Sequence, residues 1–353
     1  MRVLYLTRTW TGHDDRFLRA WQDAGADVVT RAADGSAPGQ GPGRASFGEV
    51  VTHEIGENRP DLIHAGPVTD VAYTVAGLWD GPMIAGSWGF DLMDEVDQSE
   101  TQRDHAAEVM RRADVVLVDN DGPARRAVEL GAAAGALVQL PWGVDLAYFS
   151  PGCSNLRSTL GWDDKRIVVS TRRHEAIYRV DVIVRAFVKV ANEYQDLRLL
   201  VVGGGSLSSD LWAVVERVGL VNRVVFMGES NTEIVRDAYR AADLYVSASA
   251  VDGTSVSLLE AMACGAPVCV SAIEGNSQWI TEASGLKFVL DDIDDLARRL
   301  ADVGKMDGGI DVRSERRAQE ALRMVQKFAD WSRSPAQLIF AAELAIERHG
   351  SAS

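Results

Sequence analysis

The chain has 353 residues, 46% hydrophobic and 25% charged, which suits a globular protein with room for two cores. A formal charge of −15 and a pI near 4.9 exclude a general nucleic-acid binder, because a phosphate backbone demands a basic stripe. The three cysteines form no zinc-like spacing or disulfide framework, and no apolar run reaches the ~18 residues of a membrane helix. Met1 leads directly into strand-like sequence with no signal-peptide plan, so a cytoplasmic protein with reduced thiols is expected.

Short β-branched runs alternate with amphipathic stretches along the first half. Strands are predicted at 2–7, 26–31, 61–65, 82–86, 114–118 and 136–140, with helical periodicity at 14–24, 101–112 and 121–131. The S-A-P-G-Q-G-P-G run at 36–43 reads as a flexible loop. After a break at 141–152 the same grammar restarts, with strands at 166–170, 197–202, 223–227, 243–247, 267–271 and 286–290. Helices at 313–330 and 335–348 close the chain. This alternation implies parallel sheets wrapped on both faces, and two such halves make a cleft with ligands at the carboxyl ends of the strands. D-D-I-D-D at 291–295 heads a helical stretch and reads as first-turn capping rather than as a metal site.

Residues 252–267, D-G-T-S-V-S-L-L-E-A-M-A-C-G-A-P, carry the densest signal. Asp252-Gly253 marks a turn, Thr254 and Ser255 are N-cap residue types, and an apolar helical face from Leu258 to Ala263 stops at Gly265 and Pro267. A helix start presents N–H donors and a positive dipole end to an anion. Glu260, flanked by apolar residues, requires a partner if it is buried, and the two hydroxyls of a ribose suit it; the alternative is an ordinary core helix with Glu260 turned to solvent. S-T-R-R-H-E-A-I-Y-R at 170–179 gathers three arginines in an acidic chain, and guanidinium forks suit a diphosphate through paired charge-assisted hydrogen bonds. V-V-G-G-G at 201–205 is a strand entering glycines, a shape that lets backbone approach a ligand.

Asp252 and Glu260, with A-M-A-C-G-A-P-V after them, resemble the Glu-x7-Glu signature of GT-B retaining glycosyltransferases, family 4. The resemblance implies two Rossmann-like doubly wound parallel-sheet domains facing a cleft: an acceptor domain over 1–145, a nucleotide-sugar domain over 146–330 and a closing helix over 331–353 that crosses back. In that family the second acid holds the ribose, which falls to Glu260, and the first meets the donor sugar. Asp252 is one methylene shorter than the usual glutamate. Arg172 resembles the arginine that meets the leaving diphosphate, with Arg173 one register away. Tyr178 stands where a lysine is usual, with Arg179 beside it. Gly203 and Gly205 resemble the G-x-G that borders the nucleotide, and Met227 and Gly228 lie in the loop that reads the base. Gly253, Thr254, Ser255 and Val256 correspond to the backbone around the diphosphate, and Gly12 to one of the paired glycines near the donor phosphate.

On the acceptor side His13 offers an acid/base group by its intrinsic pKa range or else a helix-start residue, and the resemblance points to His64, as an acceptor contact or as cleft-edge architecture, to Trp88, as a stacking or packing face, and to Asp91. His64 in D-L-I-H-A is similar to the family's D-I-I-H-A-H element, and A-G-S-W-G-F-D-L at 85–92 to a loop reading H-G-S-D or W-G-S-D. S-A-I-E-G-N-S-Q-W-I at 271–280 resembles D-I-P-G-N-R-E-W-I. The implied activity is retaining, metal-independent transfer of a sugar from a UDP- or GDP-linked donor to a small-molecule or glycan acceptor, with no further cofactor. A GT-B epimerase acting on a UDP-sugar and a non-catalytic nucleotide-sugar-binding protein are the alternatives.

Overall fold

The computed structural model describes residues 1–40, 46–305 and 312–352. The chain forms two compact units, Met1–Pro141 together with Ser332–Ser353, and Trp142–Trp331. The changes of unit therefore fall at Pro141/Trp142 and Trp331/Ser332, and the closing segment groups with the first unit.

In the first unit β1 (Arg2–Thr7), β2 (Asp27–Ala32), β3 (Leu62–Ala65), β4 (Met83–Gly86), β5 (Val115–Val118) and β6 (Leu137–Gln139) alternate with helices. Those helices are α1 (Gly12–Asp23), α2 (Phe47–Asn58), α3 (Val71–Ala76), α4 (Phe90–Met93), α5 (Glu100–Arg112) and α6 (Asp121–Glu129). The six strands are parallel, in the order β2-β1-β3-β4-β5-β6. Every residue of β3, β4 and β5 is buried, the pattern of a parallel sheet covered on both faces.

The second unit holds β7 (Arg166–Ser170), β8 (Leu197–Val202), β9 (Val224–Gly228), β10 (Leu244–Ser247), β11 (Val268–Ser271) and β12 (Leu286–Phe288). Its helices are α7 (Leu156–Leu160), α8 (Val180–Ala191), α9 (Ser208–Arg217), α10 (Thr232–Ala241), α11 (Val256–Ala263), α12 (Glu274–Ser277), α13 (Ile293–Gly304) and α14 (Val312–Phe328). The last helix, α15 (Ser334–Ala352), packs on α1, β4 and β5 of the first unit. The second sheet is also parallel, in the order β12-β11-β10-β7-β8-β9. Strand order reverses between β7 and β10, and in open α/β sheets ligands bind beyond the carboxyl ends of the strands at such a reversal. The segments leaving those two strands carry Arg172 and Asp252.

All twelve predicted strands are present, with small differences at their ends. β12 stops at Phe288 rather than 290 because Val289 N–H donates to the Asp295 carboxylate (2.9 Å) instead of to a neighbouring strand. The acid run at 291–295 caps α13: Asp292 is its N-cap and accepts from Asp295 N–H at 2.8 Å. Of the loop expected at 36–43, positions 41–43 lie outside the described residues.

Candidate functional site

Arg172, two residues beyond β7, turns inward, and its side chain is only 10% exposed. Its Nη2 donates to Asp252 Oδ2 at 2.7 Å, while Nη1 donates to Ser255 Oγ and Ser257 Oγ, each at 2.9 Å. The Tyr178 ring lies against the guanidinium, 4.2 Å from centroid to Cζ, so the residue replacing the usual lysine offers an aromatic face to the arginine. Burial disfavours the arginine's charge, but Asp252 together with Tyr245, Tyr178 and Tyr239 more than offsets it and raises the pKa. Arg173, by contrast, is exposed, and Arg179 pairs with Asp291 at 3.1 Å.

Ser255 occupies the N-cap of α11, but its side chain makes no cap hydrogen bond. This corrects the expectation of a hydroxyl-capped helix: the oxygen accepts from Arg172 instead. Gly253 and Thr254 are buried beside it and Val256 begins the helix. Glu260, on the second turn, is half-buried and accepts from Tyr239 Oη at 3.0 Å. Both acids therefore meet protein partners, Asp252 a guanidinium and Glu260 a phenol.

The glycines have a different employment from the one expected. A Cβ on Gly203 would stand 2.7 Å from Arg172 O, and one on Gly205 2.6 Å from both His174 O and Glu175 Oε1. Their close approach is to the 172–175 loop, which they hold, and Gly203 N–H also bonds Gly228 O at 2.8 Å. Gly275 acts on the other loop, because its Cβ would meet Asp252 O and Gly253 O at 2.2 Å. Met227 is partly buried against the cluster around Ile167 and Val169, at the end of β9 next to Gly228.

In the first unit the four acceptor-side candidates separate into two kinds. His13, in the first turn of α1, meets the Trp88 ring edge-on at 6.4 Å. Gly12 opens that helix with nothing within 4 Å of an added Cβ. His64 is instead a core residue, 3% exposed and enclosed by Tyr5, Phe17 and Trp21, whose Nε1 donates to His64 Nδ1 at 3.1 Å. Burial pushes its pKa down to about 3, so it is neutral and removed from the acceptor set. Asp91 is fully buried and accepts from Val68 N, Ser87 Oγ, Trp88 N and Leu92 N at 2.8–3.0 Å. It ties the loops after β3 and β4 together and sets Trp88, which corrects its assignment as an acceptor contact.

Several residues at these positions carry no sequence motif. Arg8, just past β1, donates to Asp70 (2.6 Å) and to both oxygens of Glu95 (2.7 and 2.8 Å), and Thr69 Oγ1 also donates to Glu95 (2.6 Å). The group sits where the first sheet reverses between β1 and β3. In the second unit Tyr245 Oη donates to Ser257 Oγ at 2.9 Å, and Thr171 Oγ1 lies 2.8 Å from Tyr239 Oη. For Tyr245 the available signal was a tyrosine in the apolar run L-Y-V, whose hydroxyl needs a partner once buried; Tyr239, in R-D-A-Y-R, gave no such signal.

Residues 154–321 match the family model described as glycosyl transferases group 1. D-inositol 3-phosphate glycosyltransferase from Mycobacterium sp. (strain KMS) is 29% identical over 219 residues, covering 60% of this chain and 47% of that protein. The Mycolicibacterium smegmatis protein of the same name is 28% identical, with 60% and 48% covered, so the chain spans about half the length of these curated relatives. Among solved structures, Anabaena HepE in complex with UDP-glucose aligns with a TM-score of 0.81 and 18% identity over 97% of this chain and 99% of that one. Sucrose-phosphate synthase from Thermosynechococcus elongatus aligns with a TM-score of 0.75 and 22% identity, covering 96% and 97%. Residues 154–321 of this chain are thus similar to the glycosyl transferases group 1 family, and the chain carries the GT-B fold.

Proposed function

We propose that this protein transfers a sugar, with retention of anomeric configuration and without a metal ion, from a nucleoside diphosphate sugar to a small-molecule or glycan acceptor. The observation that carries the reading is the buried Arg172 fork beside the start of α11, at the reversal of a sheet matching the family over 154–321. UDP is the first donor nucleotide to test, ahead of GDP, because the HepE structures are described with UDP and UDP-glucose. The second unit takes the donor in this reading. The first takes the acceptor, with His13 and Trp88 as contacts.

Negative charge grows on the leaving diphosphate in the transition state. Arg172 and the first-turn N–H groups of α11 stabilise it there, an electrostatic contribution that costs no reorganisation. Asp252 and a phosphate oxygen compete for the same guanidinium, so donor entry exchanges one anion for the other and leaves Asp252 for the sugar hydroxyls. No side chain among the described residues is assigned as a nucleophile in this reading, and same-face attack by the acceptor rests on positioning.

Calorimetry with UDP and GDP, followed by product analysis with the preferred nucleotide's sugars, tests the proposal. A new glycoside supports it. An altered free sugar with UDP would establish an epimerase, and binding without turnover a silent binder. Glu260→Gln should weaken binding of the preferred nucleotide by about 1.5–3 kcal/mol, the range for hydrogen bonds to a charged group. An unchanged dissociation constant in the folded variant would remove Glu260 from the site. Turnover should also survive exhaustive EDTA treatment, since the arginine and the helix start supply the charge compensation a metal would otherwise give. Activity lost to EDTA and restored by magnesium or manganese would contradict that part of the proposal.

A further inference from the structure

Glu260 and Thr171, the residue before Arg172, are joined through one buried phenol. Tyr239, on α10, is 1% exposed and fixed among Phe149, Tyr245 and the helix α11 core, its ring 5.6 Å from that of Tyr245 at 74°. Its hydroxyl donates to Glu260 Oε2 at 3.0 Å and stands 2.8 Å from Thr171 Oγ1. A phenol has one proton, so with that proton on Glu260 the threonine hydroxyl donates to Tyr239. The direction is set: Thr171 to Tyr239 to Glu260. Burial, with the Glu260 charge adding to it, raises the Tyr239 pKa well above the usual phenol value, so the group remains a donor. Thr171 is also the residue before Arg172, so the same short segment that presents the arginine orders the carboxylate.

We infer that Tyr239 is a positioning residue for Glu260, holding one carboxylate oxygen through a Thr171–Tyr239–Glu260 relay so that the carboxylate meets the ribose hydroxyls of a nucleoside diphosphate in a fixed orientation. The inference rests on the proposed contact of Glu260 with ribose. The ring packs among apolar neighbours of this core cluster, while its hydroxyl meets polar partners. A carboxylate on a helix surface has several rotamers, and a fixed donor from a rigid ring selects among them before the ligand arrives.

The test is the ratio of dissociation constants for 2′-deoxy-UDP and UDP, measured by calorimetry on the full chain. Tyr239→Phe keeps the ring and removes the relay, and it should weaken UDP about fivefold to tenfold while bringing the ratio close to that of Glu260→Gln. A purely structural role would lower thermal stability and leave the ratio at its wild-type value. If Glu260→Gln collapses the ratio and Tyr239→Phe preserves it, the positioning role is overturned while the ribose contact stands. If Glu260→Gln itself preserves the ratio, the ribose contact fails and this inference with it. Thr171→Val, which removes the first donor of the relay and nearly conserves volume, should reduce the ratio by a smaller factor. Should Tyr239→Phe not fold, an unchanged ratio in Thr171→Val would overturn the relay.

Discussion

Arg172→Ala is expected to lower turnover by more than about a hundredfold and to destabilise the second unit by about 3–5 kcal/mol. The stability loss follows from leaving Asp252, whose side chain is 17% exposed, without its guanidinium partner. The rate loss follows from removing the charge that faces the leaving diphosphate, which matters most where charge grows in the transition state. The double variant Arg172→Ala with Asp252→Ala should regain much of the stability and none of the turnover. Arg173→Ala and Arg179→Ala should stay within a fewfold of wild type, because Arg173 is exposed and Arg179 pairs with Asp291 at the surface. Urea denaturation and saturating kinetics on the four variants decide the matter. Full turnover in Arg172→Ala would show that the start of α11 acts without this arginine.

Two buried groups of the first unit should shape its response to acid, in opposite directions. His64 is pushed from 6.5 to about 3 by burial, so on acidification the unfolded chain takes up the proton before the native one does. Its contribution is full above pH ~6.5 and is lost at up to ~1.4 kcal/mol per pH unit as pH falls toward about 3. Asp91 is raised from 3.8 to about 6, chiefly by burial, so the native state binds its proton first. Its contribution therefore shrinks as pH rises from 3.8 through about 6. Between about pH 7.5 and 4.5, His64→Gln should gain about 3 kcal/mol relative to wild type, and Asp91→Asn should lose about 2 kcal/mol. Urea midpoints at the two pH values measure both effects. Parallel profiles in all three proteins would mean that neither group is titrating as its burial dictates.

The strands were legible because a buried parallel strand writes a compact apolar run into the sequence, and the helices between them write a 3.6-residue period. Asp252 and Glu260 were legible because their neighbours announce a turn and a helix start, and Arg172 because three arginines gather at 172–179 in an acidic chain. Their partners were not. Arg172 and Asp252 are 80 positions apart, and Tyr239 reaches Thr171 across 68, so those bonds exist only once β7 and β10 pair. His64 and Asp91 show the converse error. Their local sequence matched loop elements, and only the packed structure shows the imidazole enclosed by aromatic rings and the carboxylate saturated by donors. The glycines at 203 and 205 were recognised as sites of close approach, yet what approaches is the 172–175 loop, a neighbour set by strand order.

The first unit is assembled from two stretches of chain separated by the whole of the second. Its final helix, α15, buries Leu338, Ala341, Ala342 and Ala345 completely, and it covers strands that leave the ribosome roughly two hundred residues earlier. Loop-closure entropy grows only slowly with length, so this arrangement weighs little on equilibrium stability and heavily on timing. During synthesis the uninterrupted second unit is able to finish its sheet while the older one still waits for its last piece. A nascent chain stalled before Ser334 would present the surface that α15 later covers, which makes that surface the natural handhold for a chaperone and the first place where a truncated product would aggregate.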